Sequence, residues 1–307
     1  MIERREVQNA IALVYPDRKF QGMMALIGGI DFVVYRVDFE AGESVVFRGQ
    51  RNEVSAYLGP QNFGDQLIGE KRFYERYITH LPMPQALYIE LDESVLGFPF
   101  GFFTYIPGTP LSDLLPQASP CEICRLDEEL GRILASVHEV KMPRYGRLFS
   151  DETQTWGRYF SNRLAHRLTL YSEDGTLSKG HFEHFVGLAP EVEPDCSRLL
   201  HMDFRPDNML ATLDGGALKL TGIVDAANCL AGDARFDLAR LDEGIGLSSE
   251  FLNGYESRRG PVDRNSIPFM LYRLETAALL TQVYRNSTLC SYRLDRLRCL
   301  ISDDRWT

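Results

Sequence analysis

The chain has 307 residues, of which 44% are apolar and 25% charged, so it can bury a large core as one two-lobed unit or two domains. Lys and Arg total 33 against 43 Asp and Glu, and the net charge of −10 lacks the basic footprint that non-specific nucleic-acid binding needs. No run of about 18 apolar residues occurs, so no membrane span is expected.

The start, MIERREVQNAIALVYP, reads as an amphipathic helix without the apolar stretch and cleavage site of a signal peptide. A cytoplasmic protein, monomer or homodimer, is the expectation. FVVYRVDF (32–39) and ESVVFRG (43–49) are β-branched and aromatic runs joined by a short EAG turn, which predicts a hairpin. Residues 66–80, QLIGEKRFYERYITH, predict a helix stopped by the two prolines of LPMPQ. ALYIEL and FPFGFFTYI predict two more strands with a turn at Asp92–Gly97, and PGTP (107–110) is a break.

Beyond that break the composition turns helical. Apolar residues at 126, 130, 133, 134 and 137 share one helix face. Two weaker helical stretches surround WGRYFSNRLAHRL and HFEHFVGL. SRLLHMDF, NMLATL and LKLTGIVDAA predict short strands around loops, and Met270, Leu271, Leu274, Ala277, Ala278 and Leu280 set the period of a helix from Ser266. The sum is an α+β chain, β-rich over 1–105 and mostly helical over 106–307. Of six scattered cysteines, Cys121 and Cys124 form a C-x-x-C with no second pair at zinc-site spacing, so idle thiols are expected.

The chemistry concentrates in HMDFRPDNML. It places Asp203 and Asn208 on one polar segment between apolar flanks. Further on, Asp225 closes the apolar run of GIVDAA. A carboxylate at a strand end beside an Asn-bearing loop suits a hard cation such as Mg²⁺, which takes few protein ligands and shares its shell with phosphates. Asp203 is then left to face an attacking hydroxyl. That is the division of labour of a kinase site. The β-rich third adds what a nucleotide needs: Gly28 and Gly29 between two apolar segments, where backbone can approach phosphates, Arg48 as a cation on the following strand, and Glu70 on the next helix to pair with it.

These motifs together resemble the aminoglycoside phosphotransferase family of the protein-kinase-like superfamily. The pattern H-G-D-x-x-x-x-N is matched by His201, Met202, Asp203 and Asn208; the metal-binding I-D segment by IVDAA; and G-D-x-x-x-D-L-A by GDARFDLA, 232–239. FFTYIPGTPL matches the strand that leads into the lobe junction, and ILASVHEV, with His138, matches an L-x-x-L-H helix end.

The resemblance implies a two-lobed kinase-like fold, with a small antiparallel-sheet lobe, a larger helical lobe and ATP in the cleft between them. It implies Asp203 as catalytic base, and Asn208 and Asp225 as Mg²⁺ ligands. Arg48 would contact phosphate and pair with Glu70. The backbone of Thr104 and Ile106 would meet the adenine edge, behind Phe103 as gatekeeper. Asp237 would bond the backbone of the catalytic loop, and His201 would be structural.

The implied activity is transfer of the γ-phosphoryl group to a hydroxyl of a small molecule. An antibiotic of aminoglycoside, nucleoside, peptide or macrolide type leads; a metabolic acceptor of sugar, amino-alcohol or homoserine type is the alternative. VDAAN departs from the I-D-F-E-Y of choline kinases, and Arg205 stands where fructosamine kinases carry Trp. A non-catalytic pseudokinase is the reading from another class, and retention of Asp203, Asn208 and Asp225 opposes it. GDARFDLA follows Asp225 too closely to leave room for the activation segment of a protein kinase.

Three departures from the family pattern stand out. Met202 replaces the usual Gly, which implies altered packing or a pocket-lining side chain. Arg48 replaces Lys and keeps the charge. The loop from Asn208 to Asp225 is long, with LDGGALK as a turn. Elsewhere, Trp156 and Tyr159 are expected in the core, His138 as a packed histidine and Asp233 as a loop cap. Asp242 and Glu243 either meet a cationic substrate or form a solvated helix end.

Overall fold

The computed structural model describes residues 2–26, 32–50, 63–77, 81–150 and 152–306. A first helix, α1 (Arg4–Val14), precedes three strands, β1 (Phe20–Ala25), β2 (Phe32–Phe39) and β3 (Ser44–Gln50). Helix α2 (Phe63–Arg76) follows, then β4 (Ala86–Glu90), a single turn α3 (Glu93–Leu96) and β5 (Phe100–Thr104). The five strands form one antiparallel sheet in the order β1-β2-β3-β5-β4.

Alternation of side chains sorts this sheet into two faces. Val37, Phe39, Val45, Phe47, Phe100 and Phe102 bury one face under Val7, Ala10 and Ile11 of α1. At roughly 1.5–3 kcal/mol for each large apolar side chain removed from water, that cover is enough to hold α1 in place. Phe32, Val34, Val46 and Phe103 belong to the other face, which joins the main core with Leu67 and Phe73 of α2.

The remainder is mostly helical. Its elements are β6 (Thr109–Pro110), α4 (Leu111–Leu114), α5 (Pro120–Val137), β7 (Gly146–Arg147), α6 (Trp156–Glu173), α7 (Lys179–Leu188), β8 (Arg198–Leu200), β9 (Met209–Asp214), β10 (Ala217–Ile223), β11 (Leu230–Gly232), α8 (Ala234–Gly244), α9 (Ser249–Arg259), α10 (Ile267–Val283) and α11 (Cys290–Ile301). Two three-stranded sheets, β10-β9-β6 and β7-β11-β8, lie among the helices. None of the described helices is long and apolar enough to cross a membrane.

The predicted elements are found, with shifts that have local causes. The helix predicted over 66–80 begins at Phe63 and ends at Arg76; residues 78–80 lie outside those described. The predicted turn at Asp92–Gly97 is a full helical turn, because the Asp92 side chain accepts from Ser94 N at 2.8 Å and Gly97 closes it at φ +86°. Strand β1 was not anticipated, since QGMM lacks strict alternation. The long loop between Asn208 and Asp225 is a tight β9–β10 hairpin. Its two-residue turn is Gly215–Gly216, both at positive φ (56° and 87°), as a type I′ turn demands.

Helices α5 and α9 cross where each carries a glycine. A Cβ on Gly131 would meet Phe251 O at 2.0 Å, and one on Gly254 would meet Glu128 O at the same distance. Two backbones in contact cannot admit a methyl without separating. Gly131→Ala should therefore destabilise the protein by about 3 kcal/mol or more, read as a lower urea midpoint. Gly187→Ala, on α7 with nothing near its Cβ, should be neutral or gain up to about 1 kcal/mol from helix propensity.

Candidate active site

The β9–β10 hairpin does the assembling. Its pairing of Met209 with Ile223 sets the residues flanking the hairpin side by side, and Val224 N donates to Asn208 O at 2.9 Å. Asn208 and Asp225 are thereby neighbours despite their separation in sequence. Asn208 reaches back to the loop before it: its Nδ2 donates to Asp203 O at 2.8 Å and to Asp203 Oδ2 at 2.9 Å. The amide thus points its nitrogen at Asp203, leaving its oxygen for a cation.

The loop itself hangs from α8. Asp237, 1% exposed, accepts from His201 N at 2.7 Å and Met202 N at 2.9 Å. Its Oδ2 also meets His138 Nε2 at 3.2 Å, and His138 Nδ1 meets Tyr255 Oη at 2.8 Å. His138 is therefore a packed histidine in a buried chain. Burial would raise the Asp237 carboxyl, but the His138 bond and charge outweigh it and hold the group below its ordinary range. Burial pushes His201 down, so it is neutral, with Nδ1 accepting from Asp203 N at 3.3 Å.

Arg48 faces this loop from β3. Its Nη1 donates to Glu70 Oε1 of α2 at 2.5 Å and its Nη2 to Asp225 Oδ1 at 2.7 Å. The guanidinium also lies 4.4 Å from the centroid of Phe32. Tyr74, one helical turn beyond Glu70, donates to the same Glu70 oxygen at 2.6 Å. Burial opposes the Arg48 charge, yet Glu70 and Asp225 outweigh it and keep the group firmly protonated.

These residues enclose a cleft of about 650 Å³, whose walls include Val34, Val46, Arg48, Glu70, Phe103, Thr104, Ile106, Asn208 and Asp225. Asp203 sits beside it through its bond to Asn208. Gly28 and Gly29, the expected phosphate turn, lie outside the described residues. At the lobe junction Thr104 N donates to Gln85 O and Thr104 Oγ1 accepts from Gln85 N, both at 2.9 Å. The Thr104 amide is thus already engaged within the sheet lobe. Among the described residues no hydrogen bond engages Ile106 N. Just beyond, β6 pairs with β9, Thr109 opposite Ala211, so the junction is pinned over the Asn208 strand. Gly108 makes this possible: a Cβ there would meet Thr221 Oγ1 at 2.4 Å.

The two aspartates are driven apart electrostatically. Burial pushes Asp203 above the ordinary carboxylate range, with Arg205, 3.4 Å away, working against it and Asp225 adding to it. Burial acts on Asp225 too, but Arg48 overrides it and holds Asp225 below that range. Asp203 thus takes up a proton more readily than Asp225.

Other expectations resolve plainly. Met202 does not line the cleft; it is fully buried in the main core. Trp156 is core, donating to Tyr272 Oη at 2.6 Å, and Asp233 caps α8 through Arg235 N. Asp242 and Glu243 are neither a solvated helix end nor free for a cationic ligand. Glu243 lies 2.5 Å from Arg273 and 2.8 Å from Arg296, and Asp242 lies 2.6 Å from Arg264. All six cysteines are free. Tyr74 was missed by sequence reading; its place one turn after Glu70 was the available signal.

The profile of the phosphotransferase enzyme family matches residues 25–266, most of the chain, and the protein belongs to that family. No curated protein matches its sequence. Among solved structures, aminoglycoside phosphotransferase APH(4)-Ia superposes with a TM-score of 0.70 at 16% identity, covering 97% of this chain and 98% of that one. A thermostable mutant of that enzyme, in ternary complex with AMP-PNP and hygromycin B, superposes at 0.69 and 17% identity, covering 96% and 98%. A putative fructosamine-3-kinase from Haemophilus somnus 129PT gives 0.69 at 14% identity, covering 97% and 96%. The shared fold is a five-stranded antiparallel sheet lobe on a helical lobe.

Met202 and Asp225 are the described non-glycine residues at positive φ, 66° and 61°. A left-handed L-residue costs roughly 1–2 kcal/mol. At position 202 that cost inverts a usual order. Met202→Ala and Met202→Gly should both destabilise by emptying a core site, by about 2–5 kcal/mol for the alanine. The glycine variant should nevertheless be the more stable of the two by about 1 kcal/mol. Urea titration of both variants checks this, and an alanine variant as stable as the glycine one would remove the strain from the account.

Proposed function

We propose that this member of the phosphotransferase enzyme family uses ATP and Mg²⁺ to phosphorylate a hydroxyl of a small molecule. The observation that carries the reading is the convergence of Asp203, Asn208 and Asp225 at one cleft, opposite an Arg48 already fixed by Glu70. The neighbour that binds AMP-PNP supports a nucleotide in that cleft.

The donor set suits a hard cation. The Asn208 amide oxygen and the Asp225 carboxylate are oxygen donors, too few to fill a shell, which is what Mg²⁺ shared with phosphates requires. Among the described residues no group of three His, Cys, Asp or Glu is arranged for a metal. When bound, the cation would neutralise charge on the phosphates. The chain's own residues do the rest. Phe103 and the junction at Thr104 and Ile106 bound the base. Arg48 presents positive charge to the phosphates from β3. Asp203 accepts the proton of the acceptor hydroxyl as its oxygen bonds to the γ-phosphorus and the β–γ bridging oxygen departs with ADP. Positioning and electrostatics supply most of the acceleration in such transfer.

Within the family resemblance an antibiotic acceptor leads and a metabolic alcohol is the alternative.

Mg²⁺-dependent ADP release, measured across hydroxylated antibiotics and metabolites, tests the reading. Asp203→Ala should lower kcat by about 10²–10⁴-fold, the worth of a positioned base. Asp203 must be ionised to accept a proton, so activity should fall as pH drops through a pKa that burial has raised. Arg205 opposes that rise, and Arg205→Gln should move the acid limb of kcat/KM to higher pH. A limb that stays in place would detach it from Asp203.

A further inference from the structure

Two positive side chains line the described part of the cleft, Arg48 and Arg205, and they are in different states. Arg48 is 8% exposed, with one terminal nitrogen on Glu70 and the other on Asp225. Arg205 has a side chain 41% exposed and stands between two carboxylates, Asp203 at 3.4 Å and Asp207 at 3.6 Å. Both approaches run through Nε. Neither makes a hydrogen bond, and Nε is buried without a hydrogen-bond partner. Among the described residues no hydrogen bond engages either terminal nitrogen of Arg205. The two acids therefore hold the guanidinium by charge and leave its outer donors free.

The loop fixes where those donors sit. Pro206 confines Arg205 to extended backbone, observed at φ −140° and ψ 162°, and then opens the single turn Pro206–Asn208. Asn208 closes the loop through its two bonds to Asp203. Arg205 is thus built into the short stretch that carries both the base and a metal ligand. The charges of Asp203, Asp207 and Asp225 all act on it. During transfer the γ-phosphoryl group lies between the hydroxyl that faces Asp203 and the cation that Asn208 and Asp225 would hold. A guanidinium on the cleft wall beside Asp203 therefore has that group as its nearest incoming anion. Its planar fork can meet phosphate oxygens with two parallel hydrogen bonds. Arg48, with both terminal nitrogens already engaged, offers the phosphates charge but few free donors.

We propose that Arg205 binds the γ-phosphoryl group of the nucleotide through its two terminal nitrogens, and by that contact separates triphosphate from diphosphate. This rests on the phosphotransferase reading and deepens it, by assigning the γ-phosphoryl contact to the catalytic loop and not to the sheet lobe. The contact lasts while the γ-phosphoryl group is on the nucleotide. Once the acceptor oxygen has bonded to that phosphorus and the β–γ bridging oxygen has left, ADP no longer has it. Arg205 thus favours the substrate nucleotide over the product nucleotide.

Calorimetry in the presence of Mg²⁺, with AMP-PNP and ADP as the two probes, tests this on the wild-type chain, Arg205→Gln and Arg205→Lys. A wild-type chain that binds neither nucleotide sinks the phosphotransferase reading, and this proposal with it. Where the wild type binds both, the proposal is tested alone. Arg205→Gln should weaken AMP-PNP by about ten-fold or more, the worth of a charge-assisted contact, and leave ADP within about two-fold. Unchanged ADP binding also reports that the variant is folded. Arg205→Lys keeps a point charge without the fork, and should recover part of the AMP-PNP affinity. An AMP-PNP affinity kept by Arg205→Gln, or an equal loss of both nucleotides in either variant, overturns the proposal.

Discussion

Arg48 is the point on which the two lobes agree. Its two nitrogens hold Glu70 of α2 and Asp225 behind the β10 strand, so a strand of the sheet lobe, its helix and the metal-side loop share one guanidinium. At 8% exposure, with Glu70 at 1%, the Arg48–Glu70 pair has no water to fall back on, while Asp225 is partly exposed. Removing one partner from such a buried set costs about 3–5 kcal/mol, because the others are left uncompensated. A lysine is a single point charge and cannot span two carboxylates from one fixed plane. The arginine in place of the family's usual lysine therefore changes the geometry of the site while keeping its charge. The second contact, with Glu70, keeps Arg48 in position beside Asp225.

The opposite wall depends on a buried chain of hydrogen bonds from Tyr255 through His138 to Asp237 and into the backbone of His201 and Met202. Fixing two consecutive amide groups holds Met202 in the left-handed region, where its side chain turns into the core and Asp203 turns out toward the cleft. Asp225 adopts the same region at the other end of the hairpin. Strain stored at two points beside the chemistry, and relieved at neither, is what an over-determined site looks like.

Much of this was legible beforehand. Alternation in FVVYRVDF and FPFGFFTYI located the sheet, and the helix period from Ser266 located α10, because in both a single buried face decides. The trio of Asp203, Asn208 and Asp225 was legible because a hairpin brings its ends together wherever its turn falls. The turn was placed correctly within LDGGALK, and only the length of the connection was misjudged: DGG supports a tight reversal as readily as a slack one. Strand β1 and helix α9 were missed because QGMM and SEFLNGYESRR carry no clean period; each is held by its neighbours, α9 by glycine contacts with α5. Asp242 and Glu243 could not be read, since their arginines come from elsewhere in the chain: Arg264 from the turn before α10, Arg273 from α10 and Arg296 from α11.

That last failure is general, because contacts between helices far apart in the chain leave no local pattern in the sequence. Arg163, Arg167 and Glu275 come from two helices with no motif between them, and their ion pairs appear only once the helices are packed. The nucleotide side is built from short local segments whose spacing is set by backbone geometry, so it shows in sequence. Ion pairs between helices are built from single residues far apart in the chain. A chain can therefore keep the fold of its solved neighbours at 16–17% identity.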